Sequence, residues 1–493
     1  MNNQFRMRAI LTFGASLLPF LSATSALHPP GGQTGTTIEV LATGKHEDWP
    51  PDFWVSRRGL TIEALEKPGQ LKITIAKDAQ TGPALVRLLG QKGISIAHKF
   101  VISQQEETLE SEPNNHLAEA QKIEKIPALI NGRLQKKGDT DFFQFHLKKG
   151  ETLSAKLDGY SLYSPIDAFL HILDPRGYEL AVASDTHNLD PHLVYTARQN
   201  GMHTLQVLAV TSKASTSIQY AGDENSVYRL KLSLGKPSSP PPSAEHTELS
   251  PTKVLNVPSS LAGIFKLPDE TDTYKVKVSK GTSAHIRVEA HSLQFPTDTV
   301  LEVYNGEKLI KEVDDEDRNS HDAGYLLKSG TDTPYTLKIR ERYGNAGENY
   351  KYRLSINEPK PSFEPTIAKD IHEAKLEKKL EIKINLNRKN GHKQPLKVKL
   401  SGLPEPICLE GLDIAKDTKE ATVSLTIHKD TPKGNYPFQI HISETHEKAF
   451  EQTVTRSFQT SESRGDYLIN ETTWLWLKIP EVKTETKSQT EKR

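Results

Sequence analysis

The chain has 493 residues, more than one hydrophobic core normally serves, and at roughly 150 residues per domain it should divide into about three units. Its 63 lysines and arginines balance 63 aspartates and glutamates, which removes any electrostatic case for specific binding to nucleic acid or to an anionic membrane surface. A hydrophobic fraction of 35% with 26% charged residues excludes wholesale disorder and a multispanning membrane protein, and it fits thin cores in water.

Residues 1–26 read as a cleaved secretory signal. Arg6 and Arg8 precede an apolar run from Ala9 to about Phe20, and Leu21-Ser-Ala-Thr-Ser-Ala26 supplies small residues for cleavage. Gly14 and Pro19 break the run, which is too short to serve as a membrane anchor. The expected product is exported to the periplasm, the cell surface or the medium, with no transmembrane segment after cleavage. Gly31-Gly-Gln-Thr-Gly35 precedes a strand and lacks the Lys-Ser/Thr of a phosphate cradle, so it reads as a turn.

Period-two alternation then dominates, as in Thr36 to Ala42, Asp141-Phe-Phe-Gln-Phe-His-Leu147 and Asp272-Thr-Tyr-Lys-Val-Lys-Val278. Such segments are half-buried antiparallel strands, and the turns between them, at Gly150, Gly177, Gly306, Gly391 and Gly434, have the spacing of sandwiches. One short helix is predicted from about His116 to Ile123, capped by Asn114 or Asn115. Lys236-Pro-Ser-Ser-Pro-Pro-Pro-Ser243 is a stiff linker, Glu358-Pro-Lys-Pro361 marks a second boundary, and residues 481–493 form a charged tail with nothing to bury.

The segments flanking the linker read as two copies of one unit. Asp141 lies nine positions before Gly150 and Asp272 nine before Gly281; Gly150 then lies seventeen before Asp167 and Gly281 seventeen before Asp298. Both copies close on Tyr-Arg-Leu, at Tyr228 and Tyr352. With a module on each side the predicted fold is all-β, four tandem β-sandwiches over 27–105, 106–235, 249–358 and 359–480.

Glu110-Ser-Glu-Pro-Asn-Asn115, the alanines 118 and 120, Ile130-Asn-Gly132, Gly138-Asp-Thr-Asp-Phe-Phe-Gln-Phe145 and Lys149-Gly-Glu-Thr-Leu153 together resemble the bacterial pre-peptidase C-terminal (PPC) domain. The resemblance spans about 106–235 and continues, without the Glu-x-Glu-Pro-Asn-Asn opening, over about 249–358. It implies small jelly-roll-like sandwiches of the kind appended to secreted peptidases, the collagen-binding domains of clostridial collagenases among them. The flanking stretches, from Pro29 to Gly44 and from Leu386 to Ile427, resemble immunoglobulin-like modules of exported proteins. Collagen specificity does not carry over, because Gly201-Met-His-Thr-Leu-Gln-Val-Leu208 lacks the tyrosines that collagen-binding members carry there.

The best candidate site is calcium at the opening of the first copy. Glu110, Glu112, Asn114, Asp139 and Asp141 supply the hard oxygens it needs, Glu110 and Glu112 share one side of an extended segment, and the Gly138 turn can approach them. Calcium ligands at matching positions are also what the resemblance implies. The second copy keeps only Asp272 and Glu270, so no site is expected there. Asp314 to Asp322 lacks the glycine and terminal glutamate of a calcium loop and reads as a solvated hairpin turn.

Signals for catalysis are few. There is no Gly-x-Ser-x-Gly elbow and no His-Glu-x-x-His, and the single cysteine, Cys408, excludes internal disulfides and reads as a buried, inert thiol in a strand. His187 and His192 are an odd number apart and would lie on opposite strand faces. Tyr160, Tyr163, Tyr195, Tyr325, Tyr335 and Tyr343 are available for a polymer-binding platform, with core packing their more usual fate. The expected role is a non-catalytic, multimodular binding or adhesion protein of the bacterial envelope, recognising protein or polysaccharide. The alternative is an accessory module of an extracellular peptidase or hydrolase system.

Overall fold

The computed structural model describes residues 26–479 apart from internal breaks, the longest at 211–219 and 236–253. The signal sequence before Ala26, the proline-rich linker, the charged tail, Asp185, His187 and residues 317–321 therefore lie outside the described residues.

Alternation sets the architecture. In Gln70–Ile75, Leu71, Ile73 and Ile75 turn inward while the polar residues between them face out, and in Lys379–Lys389 Ile382, Ile384 and Leu386 do the same. Each sheet thus has one apolar face, and sheets pair over four separate hydrophobic cores spanning residues 27–102, 130–232, 255–356 and 363–479. The chain is all-β among the described residues except for three short 3-10 turns.

The second and third sandwiches share one strand order. In the second, one sheet runs Gln121–Lys122, Asp141–Leu147, Gly201–Val210, Asp167–Leu173, Glu179–Ala183; in the third it runs Val254–Asn256, Thr271–Lys277, Tyr335–Glu341, Thr299–Asn305, Lys308–Val313. The opposing sheets also correspond, from His192–Thr196 through to Ala128–Arg133 and from Ala323–Lys328 through to Ser259–Ile264. Among the described residues the second sandwich has one further edge strand, Thr108–Leu109, parallel to Ile130–Asn131. Even a buried device is repeated: the Asp190 carboxylate accepts the backbone N–H groups of Gly159, Tyr160 and Ser161, and Asp322 accepts those of Ala290, His291 and Ser292.

Several expectations are corrected. The predicted helix over His116 to Ile123 is a single 3-10 turn, Leu117–Glu119, with no side-chain cap at His116; Gln121–Lys122 has already joined a sheet, and Asn114 is occupied by the acidic cluster described below. Of Gly31 to Gly35 only Thr34–Gly35 make a turn; Gly31–Gln33 is a strand parallel to Val101–Ser103, and glycine is needed because a Cβ on Gly31 would lie 2.6 Å from the Val101 carbonyl oxygen and 2.7 Å from Arg229 Nε. Cys408 is exposed on the edge strand Ile407–Glu410. The loop ending at Asp322 is anchored by that buried carboxylate and is not wholly a solvated turn.

The first sandwich contacts two others. It meets the second through Thr43 Oγ1, which donates to Asn225 Oδ1 at 2.5 Å, and Lys99 Nζ, which donates to the Ser161 carbonyl at 2.6 Å. On the same junction Arg229 pairs with Glu107, both almost fully buried. It meets the fourth through Trp54, which packs edge-on against Trp474 and Trp476.

Candidate metal centre

The residues of the site in the first repeat come from three places. The chain leaves the first sandwich, pairs Thr108–Leu109 with Ile130–Asn131, and the Glu110 N–H extends that ladder to the Asn131 carbonyl at 3.0 Å. Glu110 therefore lies against the sandwich edge, and Glu112, two residues on, reaches the Asp139 and Asp141 carboxylates. Asp141 opens the strand Asp141–Leu147, and the turn before it, with Gly138 at φ +87°, brings in Asp139. The third contribution is Tyr228, on the strand Val227–Leu234 opposite Gly132. A Cβ on Gly132 would lie 2.2 Å from the tyrosine ring and 2.6 Å from Glu110 Oε2, so only glycine admits both groups.

Carboxylate oxygens of Glu112, Asp139 and Asp141 all lie within 4.8 Å of one another. Ligands of one ion held at roughly 2.4 Å stand no more than about 4.8 Å apart, so a single cation could reach all three. Glu110 adjoins this trio through the Tyr228 hydroxyl, 3.1 Å from Glu110 Oε2 and 2.5 Å from Asp141 Oδ2. All five expected residues are thus in one cluster, with Glu110 at its inner margin. Tyr228 is the member that sequence reading missed; the recurrence of a glycine and a Tyr-Arg-Leu in both copies, Gly132 with Tyr228 and Gly263 with Tyr352, was the available signal.

Charge is poorly compensated. Glu110 Oε1 accepts from the Arg133 N–H at 2.8 Å, Glu112 accepts from the Asn114 N–H and Asn115 Nδ2 at 3.1 Å and from Gln135 Nε2 at 3.2 Å, and Asp139 Oδ2 accepts from the Gln135 N–H at 2.5 Å. Among the described residues no lysine or arginine side chain hydrogen-bonds to any of the four carboxylates, and Asp139 Oδ1 is buried without a partner. One tyrosine proton cannot serve Glu110 and Asp141 together. Burial therefore pushes the Glu110 carboxyl up to about 7, and burial beside Glu110 raises Asp141 well above the usual carboxylate range.

Asn114 provides the test of fit. Its amide end facing the cluster lies 3.1 Å from Glu112 Oε2 and 3.3 Å from Asp141 Oδ1. The amide nitrogen there donates to both carboxylates, and a cation would be held with the amide turned to present its oxygen instead. The three carboxylates offer hard oxygens only, one of them, Asp139 Oδ1, orphaned and buried, and they suit calcium.

In the second repeat Tyr352 OH also donates to Asp272, and a Cβ on Gly263 would lie 2.1 Å from the Tyr352 ring. Here Tyr274 OH, 2.7 Å from Tyr352 OH, enters the space, and Glu270 Oε2 accepts the N–H groups of Lys266 at 2.5 Å and Leu267 at 2.9 Å.

The other candidate residues scatter. Tyr160, Tyr195 and Tyr335 are buried, Tyr163 lies under the Lys99 ammonium, Tyr325 packs against its own core, and only Tyr343 is widely exposed, at 73%, so the six form no common platform. His192 Nε2 lies 2.8 Å from Ser154 Oγ, and His441 Nε2 lies 3.0 Å from Ser401 Oγ with Nδ1 3.2 Å from Thr453 Oγ1. Each is a cross-strand contact on a sheet face, and neither lines the clefts at Asn256–Pro359 or between the third and fourth sandwiches.

No protein-family model matches the chain, and no curated protein matches it. Among solved structures, domains 4 and 5 of the S-layer protein SbsC align at 15% identity over 32% of this chain and 76% of that one, with a TM-score of 0.15. The fibronectin(III)-like modules of Clostridium thermocellum CbhA align at 13% over 44% and 90%, with a TM-score of 0.14. The N-terminal four Ig domains of Dscam1 isoform 6.9 align at 10% over 91% and 96%, with a TM-score of 0.19. Scores this low bear on no functional assignment; what the chain shows by itself is a multimodular, all-β protein with no helix, among the described residues, long and apolar enough to cross a membrane.

Proposed function

We propose that the chain is an exported, non-catalytic binding protein of the bacterial cell envelope, with two PPC-like repeats between immunoglobulin-like modules, and that the first repeat holds a calcium ion. The observation that supports the binding role is that every core in the described residues is a two-sheet sandwich, which offers loops and sheet faces for contact with a protein or polysaccharide. The observation that supports calcium is the convergence of Glu112, Asp139 and Asp141, one of their oxygens buried without a partner and none of them hydrogen-bonded to a cationic side chain among the described residues, next to the buried Glu110.

A bound divalent cation would supply the positive charge that these carboxylates lack. The residues have distinct parts in that arrangement. Glu112 and Asn114 sit on the segment entering the repeat, whereas Asp139 and Asp141 belong to its body, so binding would tie the entry segment to the sandwich. Tyr228 holds the inner oxygens of Glu110 and Asp141 in place.

Calorimetric titration with calcium, and pull-down of the full chain on cell-wall and extracellular polymers with and without a chelator, test the two parts. Calcium binding that disappears in Asp139→Asn/Asp141→Asn supports the metal; absence of heat and of any calcium-dependent shift in melting refutes it. Failure to retain any polymer refutes the binding role.

A further inference from the structure

Trp476 is buried on the wrong side of its strand. In Leu475–Ile479, Leu475, Leu477 and Ile479 turn into the core of the fourth sandwich, and Trp476, alternating with them, points away from it; yet its exposure is 0%. The first sandwich covers it. The Trp54 ring meets Trp476 at 5.3 Å between centroids and 89° between planes, and Trp474 at 5.6 Å and 68°. The Arg87 guanidinium lies 5.9 Å from the centre of the Trp476 ring.

Arg87 repeats the anomaly from the other side. In Gly82–Leu89, Ala84, Val86 and Leu88 face the first core, and Arg87, pointing outward, is 2% exposed. It is ion-paired with Asp370, whose backbone carbonyl accepts the Trp476 N–H at 2.7 Å. Its second N–H group donates to the Ser95 carbonyl at 2.8 Å. Ion pair, ring and strand end therefore form one unit across 283 positions of sequence.

These groups join the two halves of the chain. The first and second sandwiches are docked by Thr43–Asn225 and Lys99–Ser161, the third and fourth share a cleft lined by His285, Glu316, Asn387 and Asn390, and the only covalent route between the halves is the proline-rich stretch at 236–253. A tryptophan and an arginine buried on outward faces are side chains that neither half can shelter alone; parting them exposes the indoles and leaves Arg87 and Asp370 without each other.

We propose that Trp54, Arg87, Asp370, Trp474 and Trp476 form a clasp that holds the N-terminal and C-terminal halves together without the linker, so that the closed four-sandwich body is the form presented to partners. The Trp476 Nε1–H is buried with no acceptor, which makes the contact weaker than a fully satisfied interface. An opened chain has a partner for both faces in a second copy, by exchange of halves.

The test uses the full chain with a protease site inserted in residues 236–243. After cleavage at micromolar concentration the two halves should co-elute as one 1:1 species of unchanged size. Arg87→Glu should weaken the nicked complex by roughly 100-fold or more, because it places like charges in a buried contact. Arg87→Glu combined with Asp370→Arg should restore it, which separates loss of the clasp from loss of folding, and Trp54→Ala should weaken it without touching either core. Separation of the nicked wild type, or retention of the nicked Arg87→Glu complex, would overturn the proposal.

Discussion

The two repeats pose one packing problem and solve it in opposite ways. Each sets a tyrosine ring over a glycine, Tyr228 on Gly132 and Tyr352 on Gly263, and each aims the hydroxyl at the first aspartate of the following strand, Asp141 or Asp272. In the second repeat Tyr274 fills the adjoining space with a neutral hydroxyl, whereas the first has Phe143 at that place and surrounds the aspartate with Glu110, Glu112 and Asp139. A buried polar site can be closed by hydrogen bonds or be left short of positive charge, and only the second state calls for a cation. The edge strand Thr108–Leu109, which has no counterpart among the described residues of the third sandwich, carries the chain into the site.

The largest expected effect is common to both repeats. Gly132→Ala and Gly263→Ala should each destabilise the affected sandwich by about 3 kcal/mol, since a methyl group must displace a buried tyrosine; hydrogen exchange resolved by repeat measures it. Equal losses confirm the shared design, and a loss confined to one repeat breaks it.

Acid should act at the junction between the first sandwich, which carries His28, and the first repeat, which carries Arg133. Burial, aided by the nearby Arg133, lowers His28 to about 4, so the folded protein keeps it neutral. Stability from this group is present above pH 6.5 and is lost as pH falls toward 4, by up to about 3 kcal/mol. His28→Gln should flatten that part of the pH profile; an unchanged slope would show that the histidine is not responsible.

Calcium should separate the repeats. At free calcium 100-fold above its dissociation constant the first repeat gains about 2.7 kcal/mol, and chelation removes the gain. Asp141→Asn should abolish that response while Asp272→Asn leaves it intact, as read from thermal melts with and without chelator. The smallest effect is Tyr274→Phe, about 1 kcal/mol, because Tyr352 still donates to Asp272 after the partner hydroxyl is lost.

Much of this was legible in the chain itself. Alternation placed Asp141–Leu147 as a strand and gave the all-β class, because a period of two has one structural meaning when one face is wet. The repeat spacing correctly paired Asp141 with Asp272, and the five acidic-cluster residues were named from local pattern. The helix over His116 to Ile123 was misread because the segment's polar side chains and backbone find partners in the sandwich edge, which local propensity does not register. Cys408 was misread because an apolar pair of neighbours does not tell a central strand from an edge.

Sequence by itself determined which residues face inward, where the unit is duplicated and which copy carries the extra carboxylates, since these are matters of period and local composition. Only the tertiary structure decided that Trp476 and Arg87, on outward faces, are buried, and that Tyr228 bridges Glu110 and Asp141. The physical reason is that alternation specifies a side chain's face relative to its own sheet, while burial there depends on a second body arriving from elsewhere in the chain.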